Sequence, residues 1–142
     1  MTLDALTAQA AEVEERLRQI AENLPADPYL FFPQTKESSA VVSNLLQAVA
    51  RCQRLAVASC PRLGLGEPAA PADALRSLAG AGVLSEDLAR RVRETVEFRN
   101  RIVRAFADLN MAEVYSIATT GRADLAAFLT ALQGQSGSAS AR

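Results

Sequence analysis

The sequence predicts an all-α fold, an antiparallel helical bundle of four long helices and one short one. Three observations carry this. Apolar residues recur at three- and four-residue steps in several separate stretches, the mark of amphipathic helices. No segment alternates with the two-residue period of a strand. Proline and glycine gather mostly where the helical periods stop. The length, 142 residues, suits one domain, and a hydrophobic content of 49% supplies a core. Aromatic content is only 5% and tryptophan is absent, so that core must be mostly leucine, valine and alanine.

The first helix is read from Leu3, Leu6, Ala10, Val13, Leu17, Ile20 and Leu24, an unbroken heptad-like seam. Asp4 favours its start and Pro25 and Pro28 end it. A bundle helix is the simpler reading of that seam; a dimer seam is the sharper one. The connection from Asp27 to Gln34 holds Tyr29, Leu30, Phe31 and Phe32, and is expected to plug one end of the bundle. A protein-contact patch is the other reading. Thr35 suits an N-cap for the second helix, whose apolar face runs from Val41 to Ala56. Pro61 and Gly64 should stop it. Pro71 suits the first position of a short third helix carrying Leu75 and Leu78, closed by Gly80 and Gly82. Ser85 caps the fourth helix, with Glu86 and Asp87 in its favourable first turn. Asn110, with Glu113 three residues on, opens the fifth in the manner of a capping box. That helix carries Val114, Ile117, Leu125, Phe128 and Leu132 and should bend or break near Gly121. From Gly134 the chain is small and polar and is expected to be a disordered tail, leaving a domain over 1–133 and a tail over 134–142.

Net charge is −1, so the global positive field of a general nucleic-acid binder is missing and any RNA contact must be local. No apolar run approaches the ~20 residues that span a bilayer. The acidic stretch Met1 to Glu15 lacks a signal-peptide core. A cytoplasmic location without membrane contact is therefore expected. Cys52 and Cys60 fall on one helix, ~12 Å apart along its axis, too far for a disulfide. With no histidine in the chain, neither a zinc site nor any other metal or cofactor site is expected.

The most chemical stretch is Phe98-Arg99-Asn100-Arg101-Ile102-Val103-Arg104-Ala105-Phe106, late in the fourth helix. At ~100° per residue, Val92, Val96, Val103 and Phe106 all fall within roughly 60° of Arg99. An arginine in an apolar stripe must be paired, snorkelled or placed at a cleft, because a buried unpaired charge is costly. Such a break of local pattern points to function. Arg90, Arg91, Arg93, Arg99, Arg101 and Arg104 lie close together against Glu94 and Glu97. For Arg90 to Arg93 the simpler reading is a solvated face laced with pairs such as Arg93–Glu97.

Arg99-Asn100 followed by Ile102-Val103 resembles the motif Arg-Asn-x-(Ile/Leu)-Val-x-x-(aromatic) of HepT-like proteins, HEPN ribonuclease toxins that pair with an MNT nucleotidyltransferase antitoxin. The likeness extends over roughly Leu17 to Leu132. It includes the lead-in Gly82-Val83-Leu84-Ser85-Glu86-Asp87-Leu88 and the run Arg54-Leu55-Ala56-Val57-Ala58, which keeps scaffold positions but lacks the family's acidic and histidine residues. Arg104 stands where the motif expects histidine, and Phe106 where it expects tyrosine. The resemblance implies a HEPN-like bundle, a homodimer with a composite cleft, RNA as substrate, an MNT antitoxin as partner, and AMP attachment at the motif tyrosine. It implies catalytic roles for Arg99, Asn100 and Arg104, and RNA binding by Arg99, Arg101 and Arg104. Phe106 offers no hydroxyl to modify.

Metal-free RNA cleavage needs a group to take the 2′-hydroxyl proton, a group to protonate the leaving oxygen, and positive charge on the phosphorane. The planar fork of Arg99 suits a phosphate. Arg104 cannot act as the base, because a guanidinium stays protonated. On an ideal helix Arg99 and Arg104 point about 140° apart, so both reach one substrate only across a two-fold interface or on a distorted helix. Three readings follow: a HepT-like toxin with a weakened site, a non-catalytic HEPN dimer acting through partner or nucleotide binding, or an unrelated helical interaction protein.

Overall fold

The computed structural model describes residues 1–104 and 109–140, with side chains described through residue 134. Among the described residues the chain is helical, without strands. Helix α1 is Leu3–Asn23, α2 is Lys36–Arg62, α3 is Asp73–Gly80 and α4 is Glu86–Arg104. A last helical arm begins with α5 (Met111–Ser116), widens into a π turn over Ile117–Gly121 and continues as α6 (Arg122–Ser140). The four long arms run alternately up and down, with α3 across the lower end.

Local chemistry explains most of the ends. Thr35 Oγ1 accepts from the Ser38 N–H at 3.0 Å, and Ser38 Oγ accepts from the Thr35 N–H at 3.1 Å, closing a capping box on α2. Ser85 Oγ accepts from the Leu88 N–H at 3.0 Å at the start of α4. Asn110 Oδ1 accepts from the N–H groups of Ala112 and Glu113. Pro61 does not stop α2 but lies inside its last turn. The stop is Gly64, at φ 76°, where the Gly64 and Leu65 N–H groups return to Pro61 and Cys60 carbonyls at 3.1 and 2.9 Å. The left-handed residue this closure needs is least costly as glycine. Gly82 (φ 79°) ends α3 in the same way. Pro71 precedes α3 by two residues rather than opening it, and its carbonyl accepts from the Ala74 N–H. Helix α6 runs through Gly134 to Ser140, into the segment set apart as a tail; Gly134 costs a helix about 1 kcal/mol without breaking it.

The core lies between all four arms. Leu6, Ala10, Val13, Leu17 and Ile20 of α1 are buried, chiefly along α2, so the heptad-like seam is a bundle seam within one chain. Val13, Ile20, Val41, Leu45, Val49, Leu125 and Phe128 have no exposed surface. Each such side chain contributes about 1.5–3 kcal/mol by leaving water. Cys52 and Cys60 are both free and buried in this core.

The end plug is narrower than the sequence suggested. Phe31 alone is buried, its ring edge-on to Tyr115 at 5.7 Å, whereas Tyr29, Leu30 and Phe32 are exposed. The break near Gly121 is the π turn. A Cβ on Gly121 would lie 3.0 Å from Ile117 Cγ2 and 3.3 Å from Thr95 Oγ1, so a glycine lets α4 approach the arm closely here. The salt bridge from Arg91 Nε to Asp124 Oδ1, 2.9 Å, ties the same two elements.

Candidate nucleic-acid site on the fourth helix

The buried face of α4 is Leu88, Ala89, Val92, Thr95, Phe98 and Ile102. This stripe is centred on the Thr95–Ile102 side of Arg99, not on Arg99 itself. Val92 belongs to it, Val96 is half-buried and Val103 is 57% exposed. The expected stripe is therefore two columns: one buried in the bundle, and a second in which Val96 packs partly against the core and Val103 is left exposed. Periodicity registers both columns and cannot tell which one has a neighbour. Phe106 lies outside the described residues.

Arg99 sits between the columns and is half-buried. Its Nη1 donates to Asn100 Oδ1 at 3.3 Å, and its Nε is buried with no hydrogen-bond partner. No carboxylate among the described residues lies within ion-pair distance of it. A buried donor left unmet costs about 1–3 kcal/mol, and no described residue satisfies Arg99 Nε. Asn100 is half-buried beside it, on the side towards Arg104. Arg104 ends the described part of α4, is exposed, and makes no ion pair with a described residue.

Arg101 is placed differently. Its Nη2 is 2.6 Å from Glu113 Oε1 on α5, and its guanidinium lies 5.6 Å from the centre of the Phe98 ring. It faces away from Arg99 and joins a phosphate only by leaving Glu113. An exposed pair of this kind is worth about 0.2–1 kcal/mol, a small barrier to that exchange. Glu113 was legible as an N-terminal cap partner; its tie to Arg101, across twelve residues, had no sequence signal.

Arg90 and Arg91 are engaged within the fold. Arg90 bridges Asp87 at 2.6 Å and Glu94 at 2.7 Å, and Arg91 bridges Asp87 and Asp124. The face is laced as expected, through different partners: Arg93 and Glu97 do not form an ion pair. The thiols offer no nucleophile. Burial pushes the Cys52 thiol up to about 12, and burial, then the charge of Glu67, raises that of Cys60. No cluster of three or more histidine, cysteine or carboxylate residues suited to a metal ion occurs among the described residues.

A family model described as ribonuclease HepT-like matches residues 10–132. The chain belongs to the HepT-like family. The bundle is similar to a tri-AMPylated HEPN toxin of Shewanella oneidensis solved in complex with an MNT antitoxin. The TM-score is 0.82 at 20% identity, over 94% of this chain and 99% of that one. It is equally similar to a mutant of the MntA–HpeT toxin–antitoxin, with TM-score 0.82 and 20% identity over 92% and 98% of the two chains. A cytosolic protein of unknown function from Bacillus subtilis, YutE, shares the fold with TM-score 0.77 at 11% identity, over 93% and 88%. No curated protein matches significantly. At these identities the solved structures establish a HEPN fold for this HepT-like chain. No helix among the described residues is long and apolar enough to cross a membrane.

Proposed function

We propose that this HepT-like chain is the toxin of a HEPN/MNT toxin–antitoxin pair, a cytoplasmic, metal-independent RNA endonuclease by descent whose reaction is weakened at α4. The observation that carries the reading is Arg99: a half-buried guanidinium whose Nε meets no described acceptor, set beside the exposed Val103. A phosphate oxygen supplies an acceptor that no described residue offers Arg99 Nε, and its charge suits the planar fork. Asn100 orients the guanidinium through its Oδ1. Arg104, on the far side of Asn100, adds a second phosphate contact and no proton exchange. Packing Val96 and Val103 against a second copy across a two-fold axis makes a homodimer and turns both copies of Arg99 towards one cleft.

RNA is the substrate and an MNT nucleotidyltransferase the partner. That enzyme binds without attaching AMP at position 106, where phenylalanine offers no hydroxyl; mass spectrometry of the peptide after incubation with ATP reads this directly. The decisive experiment is cleavage of a structured RNA by the chain as it stands, by Arg104→His, and by Arg104→His with Arg99→Ala. Histidine restores a group that exchanges protons near neutral pH, and general acid–base catalysis is worth about 10² to 10⁴ in rate. Arg104→His should therefore cleave faster by that order, and Arg99→Ala should remove the gain. Equal rates for the first two, insensitive to Arg99→Ala, would refute the assignment. The absence of histidine from the whole chain favours a second reading, a non-catalytic HEPN dimer acting through protein or nucleotide binding. Its mark is an Arg104→His variant that stays dimeric and still does not cleave.

A further inference from the structure

Helix α2 begins at the end of the bundle where α4 finishes, and a hollow of about 580 Å³ opens between its first turns and the start of α5. Pockets for small ligands run from about 300 to 1,000 Å³. The floor is apolar: Val42 and Leu46 from α2, Leu109 and Met111 from the other side. The rim is polar and neutral. Ser39, Ser43 and Gln47 recur every four residues, on one face of α2, and all three are exposed. The two serines are short, which leaves the space above Val42 open. Gln47 Nε2 donates to Ser43 Oγ at 3.2 Å, which orders the pair and leaves the Gln47 amide oxygen to accept. Gln34 lines the loop side at φ 60°, the one described residue other than glycine in the left-handed region. Backbone held against its preference gathers at ligand sites.

The lining says what the hollow takes. No charged side chain lines it among the described residues. A phosphate or carboxylate inside it would meet no countercharge, and a purely aliphatic group would strip water from the amides and hydroxyls. The matching ligand is compact and uncharged, with apolar faces and an edge of donors and acceptors. A nucleobase has that form: base pockets read the edge by hydrogen bonds and hold the faces between apolar side chains. Met111 adds a polarisable sulfur suited to an aromatic face.

The neighbouring helix end suits the phosphate. Met111 lies two residues before Glu113, whose carboxylate is 2.6 Å from Arg101 of α4. Leu109 is five residues beyond Arg104, at most about 18 Å of chain. A neutral hollow beside a helix end bearing Arg99, Arg101 and Arg104 matches the division within a nucleotide, uncharged base and anionic phosphate. We propose that the hollow is a nucleobase subsite, taking an unstacked base of the RNA whose phosphate Arg99 holds; the inference rests on the RNA reading above. Phosphate contacts position an RNA without reading it, so the base in this hollow gives the site its sequence preference.

The test is fluorescence anisotropy of the full chain with short labelled homo-oligomers of adenylate, cytidylate and uridylate, over a range of salt. One variant, Ser39→Leu with Ser43→Leu, fills the hollow from exposed helix positions. The other, Gln34→Gly with Gln47→Leu, removes both amides, and glycine suits the φ of residue 34. Circular dichroism should show both folded. The natural chain should rank the three oligomers. Each variant should bind the best of them about tenfold more weakly, the scale of one base contact, and should bind all three alike. The slope of affinity against salt follows the number of phosphate contacts. It should stay as in the natural chain, whereas Arg99→Met should lower it. Unchanged affinity and ranking in both variants, with the natural chain binding RNA, overturns the inference and leaves the RNA reading standing. A natural chain that ignores RNA but binds AMP, CMP or UMP, with that binding lost in the variants, supports the subsite with a free nucleotide as its ligand, and the RNA reading falls. Binding of neither overturns both. Loss of the chain's own dimer in the filled variant assigns the hollow to a second copy and overturns the inference.

Discussion

Replacing Arg99 by methionine separates what the residue does for the fold from what it does for a ligand. Methionine keeps an unbranched stem between Val96 and Val103 and removes the guanidinium. The folded chain then no longer buries an unmet Nε, a relief of about 1–3 kcal/mol. It loses the 3.3 Å bond to Asn100, a long contact worth about 0.5 kcal/mol at most. Because Arg99 is half-buried, the rest of its guanidinium is partly hydrated and adds little to either side. The balance is a gain of about 0.5–2.5 kcal/mol, or roughly 2–8 °C in Tm for a chain of this size. Urea titration at fixed chain concentration is the assay, because the proposed dimer would add its own concentration-dependent stability. In the Arg104→His background the same change should reduce cleavage by about 10² or more, the usual effect of removing one electrostatic stabiliser. A more stable chain that has lost activity is the signature of a side chain held for a ligand. A destabilisation beyond about 1 kcal/mol with unchanged cleavage would refute this, and would make Arg99 a structural residue.

Two further changes probe the neighbouring surfaces. Val103→Glu should leave monomer stability within about 0.5 kcal/mol, as an exposed substitution does. It should nonetheless weaken self-association about a hundredfold or more by burying two like charges near the proposed two-fold axis; analytical ultracentrifugation reads this, and an unchanged dimer would place the interface elsewhere. Gly121→Val forces branched carbons against Thr95 and Ile117, already 3.0–3.4 Å from a single Cβ. Overpacking should lower stability by about 1–3 kcal/mol in a denaturant melt, and a neutral result would show that the π turn yields freely.

The residues that the sequence placed well are those whose partners are near in the chain. Thr35, Ser85 and Asn110 cap helices because a side-chain oxygen reaches an N–H two or three residues on, and the sequence displays that spacing. The core of α1 was legible for the same reason: one unbroken period fits one face. What could not be read depends on which elements become neighbours. Pro61 looks like a stop until the glycine closure three residues later is seen to do that work. Tyr29, Leu30 and Phe32 look like parts of one end plug until Phe31 alone turns inward. Arg101 resembles its neighbours in the motif until α5 brings Glu113 to it. Of the candidate site, the position of Arg99 on α4 and its conflict with apolar neighbours were legible, while the sharing of those neighbours between two columns was not.

That sharing is the feature that asks for a second molecule. A helix in a four-arm bundle needs a single apolar column, and α4 has one in Leu88, Val92, Thr95, Phe98 and Ile102. Val96 and Val103 lie beside it: Val96 packs partly against the core and Val103 is 57% exposed. The conserved energetic logic of burial gives an exposed Val103 no value in an isolated bundle. Arg99 stands between the two, with its Nε already out of water and still unpartnered. A second copy covering Val96 and Val103 would dry the guanidinium further, which strengthens its attraction for an anion as water is excluded. The same closure without an anion would bring two like charges together at one cleft. Dimerisation and phosphate binding are thus coupled in sign: each makes the other more favourable. An inorganic phosphate or short RNA that tightens self-association, with the effect lost in Arg99→Met, would be the direct measure of that coupling; association indifferent to both would show the two columns to be unrelated to the site.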